Sequence, residues 1–299
     1  MSLVSLVKIP LNTDQPLKEA ITQALNLIEY SLDTSIRKIV IKPNLCYYWD
    51  ATTGQTTSPY FVGNLIELIR TQIPEADISI VESDASAMRC KYAFKMLGYT
   101  RLAEEKQVQL INLTEDQTTK RRIHCNGKTY NFMVPKTIQE AELRINIAHI
   151  KYTTDPIKLT CALKNIFGCN PVQKKSKYHP DLGNVIVALN KAMPFNLALI
   201  DNTIAAGVQP RRMGLVMASQ DPVALDCAAA KIAWLNPAKI PYFRIAEQEG
   251  VGKRVYVLRG EPLESFRVLY PKPPINMKFK KQLKKTLVTV GLGKRMGLV

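Results

Sequence analysis

The 299-residue chain lacks most of the local signatures that would point to a chemistry at once. It has six cysteines (Cys46, Cys90, Cys125, Cys161, Cys169 and Cys227), and no two form a C-x-x-C pair. A zinc ribbon or a ferredoxin-type cluster therefore has no local support, and the cysteines read as scattered reduced thiols. No G-x-G-x-x-G, Walker A lysine motif or G-x-S-x-G elbow occurs, so a nucleotide cofactor has no motif behind it either. Histidine is scarce, with three in all, and no H-E-x-x-H helix holds two of them. No apolar run approaches the roughly 20 residues that span a bilayer. The first ten residues lack a charged segment, an apolar core and a small-residue cleavage site in series, so no signal peptide is read there. The expected location is cytoplasmic.

What is present is an ordinary globular composition, with 46% hydrophobic and 22% charged residues. The net charge is +16, and half of it lies in the last 29 residues, where eight basic and no acidic residues follow Pro271. Apolar residues at Leu17, Ile21, Leu25 and Ile28 repeat at helical spacing. Segments 35–42, 77–81, 108–112, 142–148, 196–200 and 215–219 read as strands. Helices are expected at 17–32, from Pro59 to about 71, at 88–97, 158–167, 181–191 and 223–234. Ser58 and Asp221, each directly before a proline, suit helix N-caps. Strands alternating with helices predict an α/β fold with a mainly parallel central sheet flanked by helices. Asn126-Gly127 marks a β-hairpin insertion within about 116–137. The expected organisation is one α/β domain over 1–270 and a basic tail over 271–299. Within that tail, 276–290 reads as an amphipathic helix with Phe279, Leu283, Leu287 and Val290 on one side.

In open parallel sheets, ligands bind at the carboxyl ends of the strands. That rule gathers Lys42 and Asn44, Glu82 and Asp84, Lys151, Asp201 and Asp221, with Lys164, Asn165 and Asp226 on neighbouring helices. Lysines and amides suit a carboxylate or phosphate. Lys42, Lys164, His179 and Asp201 are the candidates for moving protons, and Asn44, Lys151, Asn165 and Arg211 for binding substrate. Glu82, Asp84, Asp221 and Asp226 would suit a hard divalent metal, although Asp84 and Asp221 equally read as helix caps. His149 reads as a core residue and His124 as an exposed hairpin residue. His179, in a loop after a basic run, is the histidine left for chemistry.

In order along the chain stand Ile41-Lys-Pro-Asn-Leu45, Thr56-Thr-Ser-Pro59, Val81-Glu-Ser-Asp84, Ala162-Leu-Lys-Asn-Ile-Phe-Gly168, His179 and Ser219-Gln-Asp-Pro-Val-Ala-Leu-Asp226. This series resembles domain of unknown function 362, over about residues 38–252. The resemblance implies an α/β core distantly similar to that of nickel-dependent lactate racemase, and no agreed activity. Members often carry an appended iron–sulfur ferredoxin module. None is read within these residues, so the electron-transfer label is not carried over. Two segments depart from the family pattern. Lys151-Tyr152-Thr153 stands where a lysine-threonine-histidine run is usual. The segment Asp201 to Arg212 is more basic and poorer in glycine than is usual.

The first expectation is an enzyme on a small anionic substrate, using lysine and carboxylate acid–base chemistry: an isomerase, lyase or ligase in a biosynthetic pathway. The alternative is a metal- or cluster-binding accessory or redox protein. A second alternative is recruitment to an anionic membrane surface by the basic tail, which would make the protein peripheral. Nucleic acid is not expected as a partner, because the tail has one aromatic residue and no nucleic-acid module.

Overall fold

The computed structural model describes residues 1–10, 13–207 and 209–273. The helix expected over 276–290 lies outside them. The strands, in chain order, are β1 (Ser2–Lys8), β2 (Lys38–Pro43), β3 (Asp77–Glu82), β4 (Gln109–Asn112), β5 (Thr118–Cys125), β6 (Lys128–Pro135), β7 (Leu143–Ala148), β8 (Lys151–Tyr152), β9 (Leu159–Thr160), β10 (Leu197–Ala205), β11 (Arg211–Ser219) and β12 (Tyr256–Gly260). Eight of them form one sheet in the order β12-β1-β11-β10-β7-β2-β3-β4. Only β11 runs against the rest, pairing antiparallel with both β1 and β10.

The sheet is covered on both sides, and its strands show why. In β2, Val40 enters one core while Ile39 and Ile41 enter the other; in β3, Val81 and the pair Ile78 and Ile80 divide in the same way. Such strands read as continuous apolar runs because both faces are dry. The helices Pro16–Leu27, Pro59–Gln72 and Cys90–Met96 cover one face. Leu182–Ala192, Pro222–Ile232 and Pro241–Gln248 cover the other. The expected caps form: Ser58 accepts the Tyr60 N–H at 3.2 Å, and Asp221 accepts those of Val223 and Ala224 at 2.9 and 3.0 Å. The hairpin β5–β6 turns at Asn126-Gly127, both with positive φ (47° and 72°) as a two-residue turn requires.

Four expectations change. The helix expected over 158–167 is only Ala162–Asn165, followed by a 3₁₀ turn over Ile166–Cys169. Leu159–Thr160 instead pairs with Lys151–Tyr152. The buried Asp226 carboxylate accepts the N–H groups of Ala162 and Leu163 at 2.8 and 3.1 Å, which fixes the helix start there. A further helix, Tyr99–Lys106, follows directly on Gly98, whose φ of +82° turns the chain. Residues 2–8, not among the strands read from the sequence, form a strand. Finally, β11 is longer than expected and reversed. Its carboxyl end, and Asp221 beyond it, therefore lie at the opposite edge of the sheet from the ends of β2, β3 and β7.

Candidate functional site

Where β2, β3 and β7 end, the loops enclose a cavity of about 690 Å³. Lys42, the last lysine of β2, is wholly buried and donates to Glu82 Oε2 at 2.7 Å and to the Pro43 carbonyl at 2.6 Å. Gly168 makes this ion pair possible. A Cβ there would lie 2.8 Å from Glu82 Oε1 and 2.9 Å from Lys42 Nζ. Glycine at this place serves close approach to the charges and not a helix stop.

A chain of amides runs beside the pair. Asn165 Nδ2 donates to Asn146 Oδ1 at 2.8 Å and to backbone carbonyls of Lys42 and Ile147, and Asn44 Nδ2 donates to Asn165 Oδ1 at 2.9 Å. This network ties β2 and β7 to the one-turn helix that carries Lys164. Lys151 Nζ completes it, donating to Asn44 Oδ1 at 2.5 Å and to the Gln55 carbonyl at 2.7 Å.

The charge balance of the cavity is the decisive feature. Lys42 is paired with Glu82, but the other lysines lining the cavity form no ion pair with a carboxylate among the described residues. Lys151 meets only neutral oxygens. Lys175 donates to Ser83 Oγ and the Asp84 carbonyl, each at 2.6 Å. Lys164, half-buried, makes no hydrogen bond or ion pair with any described residue. Burial pushes all three down from the usual lysine range, Lys151 to about 8. The Cys46 thiol lies beside Lys151 and Lys164 and pulls both the other way. It is the one cysteine among the described residues that is not buried.

A second cavity of about 640 Å³ adjoins the first and shares Gln55, Lys151 and Tyr152 with it. Trp234, Tyr270 and Arg211 also line this second cavity. The end of β10 lies close to the loop that follows β2 here. Gly54, in that loop, is the point of contact: with φ at +67°, a Cβ there would lie 2.6 Å from Ala206 N and Ile204 O.

A family model described as "Domain of unknown function (DUF362)" matches residues 39–231. The chain belongs to this family. A thylakoid-associated protein of Synechocystis is 32% identical over 230 residues, 72% of this chain and 68% of that protein. The lactate racemase apoprotein from Thermoanaerobacterium thermosaccharolyticum superposes with a TM-score of 0.46 at 12% identity, over 78% of this chain and 57% of that one.

Within this DUF362 chain, the strand-end rule meets a divided outcome. Lys42, Asn44, Glu82, Lys151, Lys164, Asn165 and His179 all line the first cavity, His179 exposed at its edge. Arg211 lines the second. Asp84 lies beneath the first cavity, and its carboxylate is used by the Cys90 N–H at 2.9 Å and Arg89 at 3.0 Å. Burial would raise the Asp84 carboxyl, but these partners hold it below the usual range.

Asp201 lines neither cavity. It is buried 3.5 Å from His149 Nε2, where it accepts the Ser58 N–H at 2.9 Å and the Thr203 hydroxyl at 2.7 Å. Burial alone would raise its carboxyl; His149 and these donors hold it down. Asp201 thus anchors the Pro59–Gln72 helix, because β10 runs on to Ala205 and does not end at residue 200. Asp221 and Asp226 are also taken up by backbone N–H groups, Asp221 at the far edge of the sheet. Burial raises Asp226 to about 7, against the pull of Cys161 and the N–H groups of Leu163 and Ala162. The four carboxylates named for a metal do not converge. Among the described residues no three His, Cys, Asp or Glu side chains come together where they could hold a metal ion.

Two cavity residues were not singled out from sequence. Cys46 lies two places past Asn44, so the strand-end rule, applied a little further, reaches it. Lys175 stands in a run of lysines that looks like a solvated surface, and no local signal separates it from Lys174 or Lys177.

Proposed function

We propose that this protein is an enzyme acting on a small carboxylate or phosphate compound held in the lysine-lined cavity. The observation that carries the reading is the set Lys151, Lys164 and Lys175, which share one cavity and, among the described residues, form no ion pair with any carboxylate, while Glu82 is already paired with Lys42. Three such cations repel one another, and each lost hydration on burial. An anion offsets both costs. Lys151 and Lys175 are fixed by neutral acceptors, so they hold an anion in a defined place. Lys164 is untethered and its burial favours the neutral amine, which suits proton transfer. His179 at the edge is placed to exchange a proton with solvent. This assignment is compatible with isomerase, lyase or ligase chemistry. It treats residues 1–270 as one α/β unit that carries the site.

Calorimetric titration with inorganic phosphate and with oxalate tests the reading. Saturable binding is expected for the wild type, weakened about tenfold or more in Lys151→Met and in Lys175→Met. Unchanged binding in both variants, or no binding at all, overturns it.

A second reading concerns location. The last 29 residues hold eight basic and no acidic side chains, and the Synechocystis relative is named as thylakoid-associated. We propose peripheral attachment to an anionic membrane surface through this tail. No helix among the described residues is long and apolar enough to cross a membrane. Sedimentation with vesicles containing anionic lipid is expected to carry down the full chain. A variant ending at residue 273 should stay in the supernatant, and equal sedimentation of the two would exclude the tail.

A further inference from the structure

We propose that Lys164 is a nucleophilic amine that forms a Schiff base with a small anionic carbonyl compound, a 2-oxo acid or an aldehyde bearing carboxylate or phosphate. The proposal rests on the anion-binding reading of the cavity and goes further, since it names the reacting atom and the functional group it meets.

Three observations select this lysine from the four that line the cavity. The first is availability. A Schiff-base nitrogen must offer a free lone pair. Lys42 is held by Glu82, Lys151 by Asn44 and Gln55, and Lys175 by Ser83 and Asp84, whereas Lys164 meets no partner among the described residues. The second is rigid presentation. The helix Ala162–Asn165 carrying Lys164 is fixed at its start by Asp226 and on its flank by the hydrogen bonds of Asn165. The backbone of Lys164 is therefore tied at both sides, while its amine is bonded to no described residue. The third is charge. Lys151 lies near enough to interact electrostatically with Lys164, and it is in place to hold the anionic group of the same ligand. Burial among these neighbours lowers the proton affinity of Lys164, so more of the amine is neutral near pH 7 than for a surface lysine.

The step balances without any further reagent. The Lys164 nitrogen lone pair forms an N–C bond as the carbonyl π pair moves to oxygen. A proton passes from nitrogen to that oxygen. With a second proton, taken from solvent, the oxygen leaves as water and the nitrogen closes a C=N bond. The resulting iminium draws electrons from the adjacent carbon, which favours loss of a proton or of carbon dioxide there. Those outcomes narrow the proposed enzyme to isomerase or lyase chemistry.

Reductive trapping provides the test. The full chain is incubated with glyoxylate and cyanoborohydride, and the modified lysines are mapped by peptide mass spectrometry. Carboxymethylation of Lys164 is expected about tenfold or more faster than at exposed lysines such as Lys95, because glyoxylate bound in the cavity meets this amine at a raised local concentration. Inorganic phosphate should slow labelling at Lys164 and not at Lys95. Lys164→Arg, which keeps the charge, should lose that label and still bind phosphate. If all lysines label alike, or Lys151 labels first, while phosphate still binds, the Schiff base is overturned and the anion-binding reading stands. If labelling is uniform and phosphate does not bind, both fall.

Discussion

The two edges of the central sheet use the same residue types to opposite ends. At the edge where β11 finishes, Asp221 is saturated. It takes N–H groups from Val223, Ala224 and Lys253 and the Ser2 hydroxyl, at 2.6–3.0 Å. Nothing is left over for a ligand. At the edge where β2, β3 and β7 finish, Lys42 and Glu82 are likewise satisfied, but Lys164 is not, and Lys151 and Lys175 meet only neutral groups. Charged groups that complete one another belong to the fold. Charged groups left incomplete by the fold are available for binding.

The comparison can be broken first at the Lys42–Glu82 pair. Lys42→Met leaves Glu82 buried without its cation, and a loss of about 3–5 kcal/mol is expected in urea unfolding. Lys164→Met should change stability by less than about 1 kcal/mol, because no partner is stranded. Equal losses would show that Lys164 is structural after all. Next in size is Gly168→Ala, whose methyl group would press on both members of the pair. Overpacking of that kind costs about 1–3 kcal/mol, and it should shift the unfolding midpoint without changing its slope.

Asp221→Ala sharpens the contrast from the other edge. Loss of the cap is expected to cost about 1–2 kcal/mol, with phosphate affinity unchanged. A fall in affinity would mean that the two edges communicate. The most gradual effect is a pH slope. The folded-state value for Lys151 is lowered to about 8 from the ordinary 10.5, so between these pH values the unfolded chain binds more protons. Its contribution therefore rises with pH across that window, by at most about 1.4 kcal/mol per pH unit. The difference between wild type and Lys151→Met, measured from pH 8 to 10.5, should show it, while phosphate binding weakens over the same range.

Much of this arrangement was legible before any coordinates. Lys42, Asn44 and Glu82 follow buried apolar strands, and strand ends in a parallel sheet gather at one place. Asn165 and Lys164 came from an apolar context that leaves few reasons for polar side chains. Asp221 was misplaced because a strand's direction is not written in its residues. The strands read at 196–200 and 215–219 leave room for a crossover, which needs a dozen or more residues, whereas the observed strands run on to Ala205 and start at Arg211 and leave none. Asp226 and Asp201 belong to a different class. Each caps a helix start distant in sequence, 63 to 64 residues away for Asp226 and 143 for Asp201. No local pattern records such a partner. The brevity of the Lys164 helix had the same cause, since Asp226 sets where that helix begins.

The end of β10 bears on the lysine-lined cavity through one close contact. Gly54 is wedged against that strand end, and the next residue, Gln55, supplies the carbonyl that orients Lys151. Gln55 and Lys151 also form the partition shared by the two cavities. Two ligands, one in the aromatic-walled chamber and one in the lysine-lined chamber, would have Gln55 and Lys151 as a common wall.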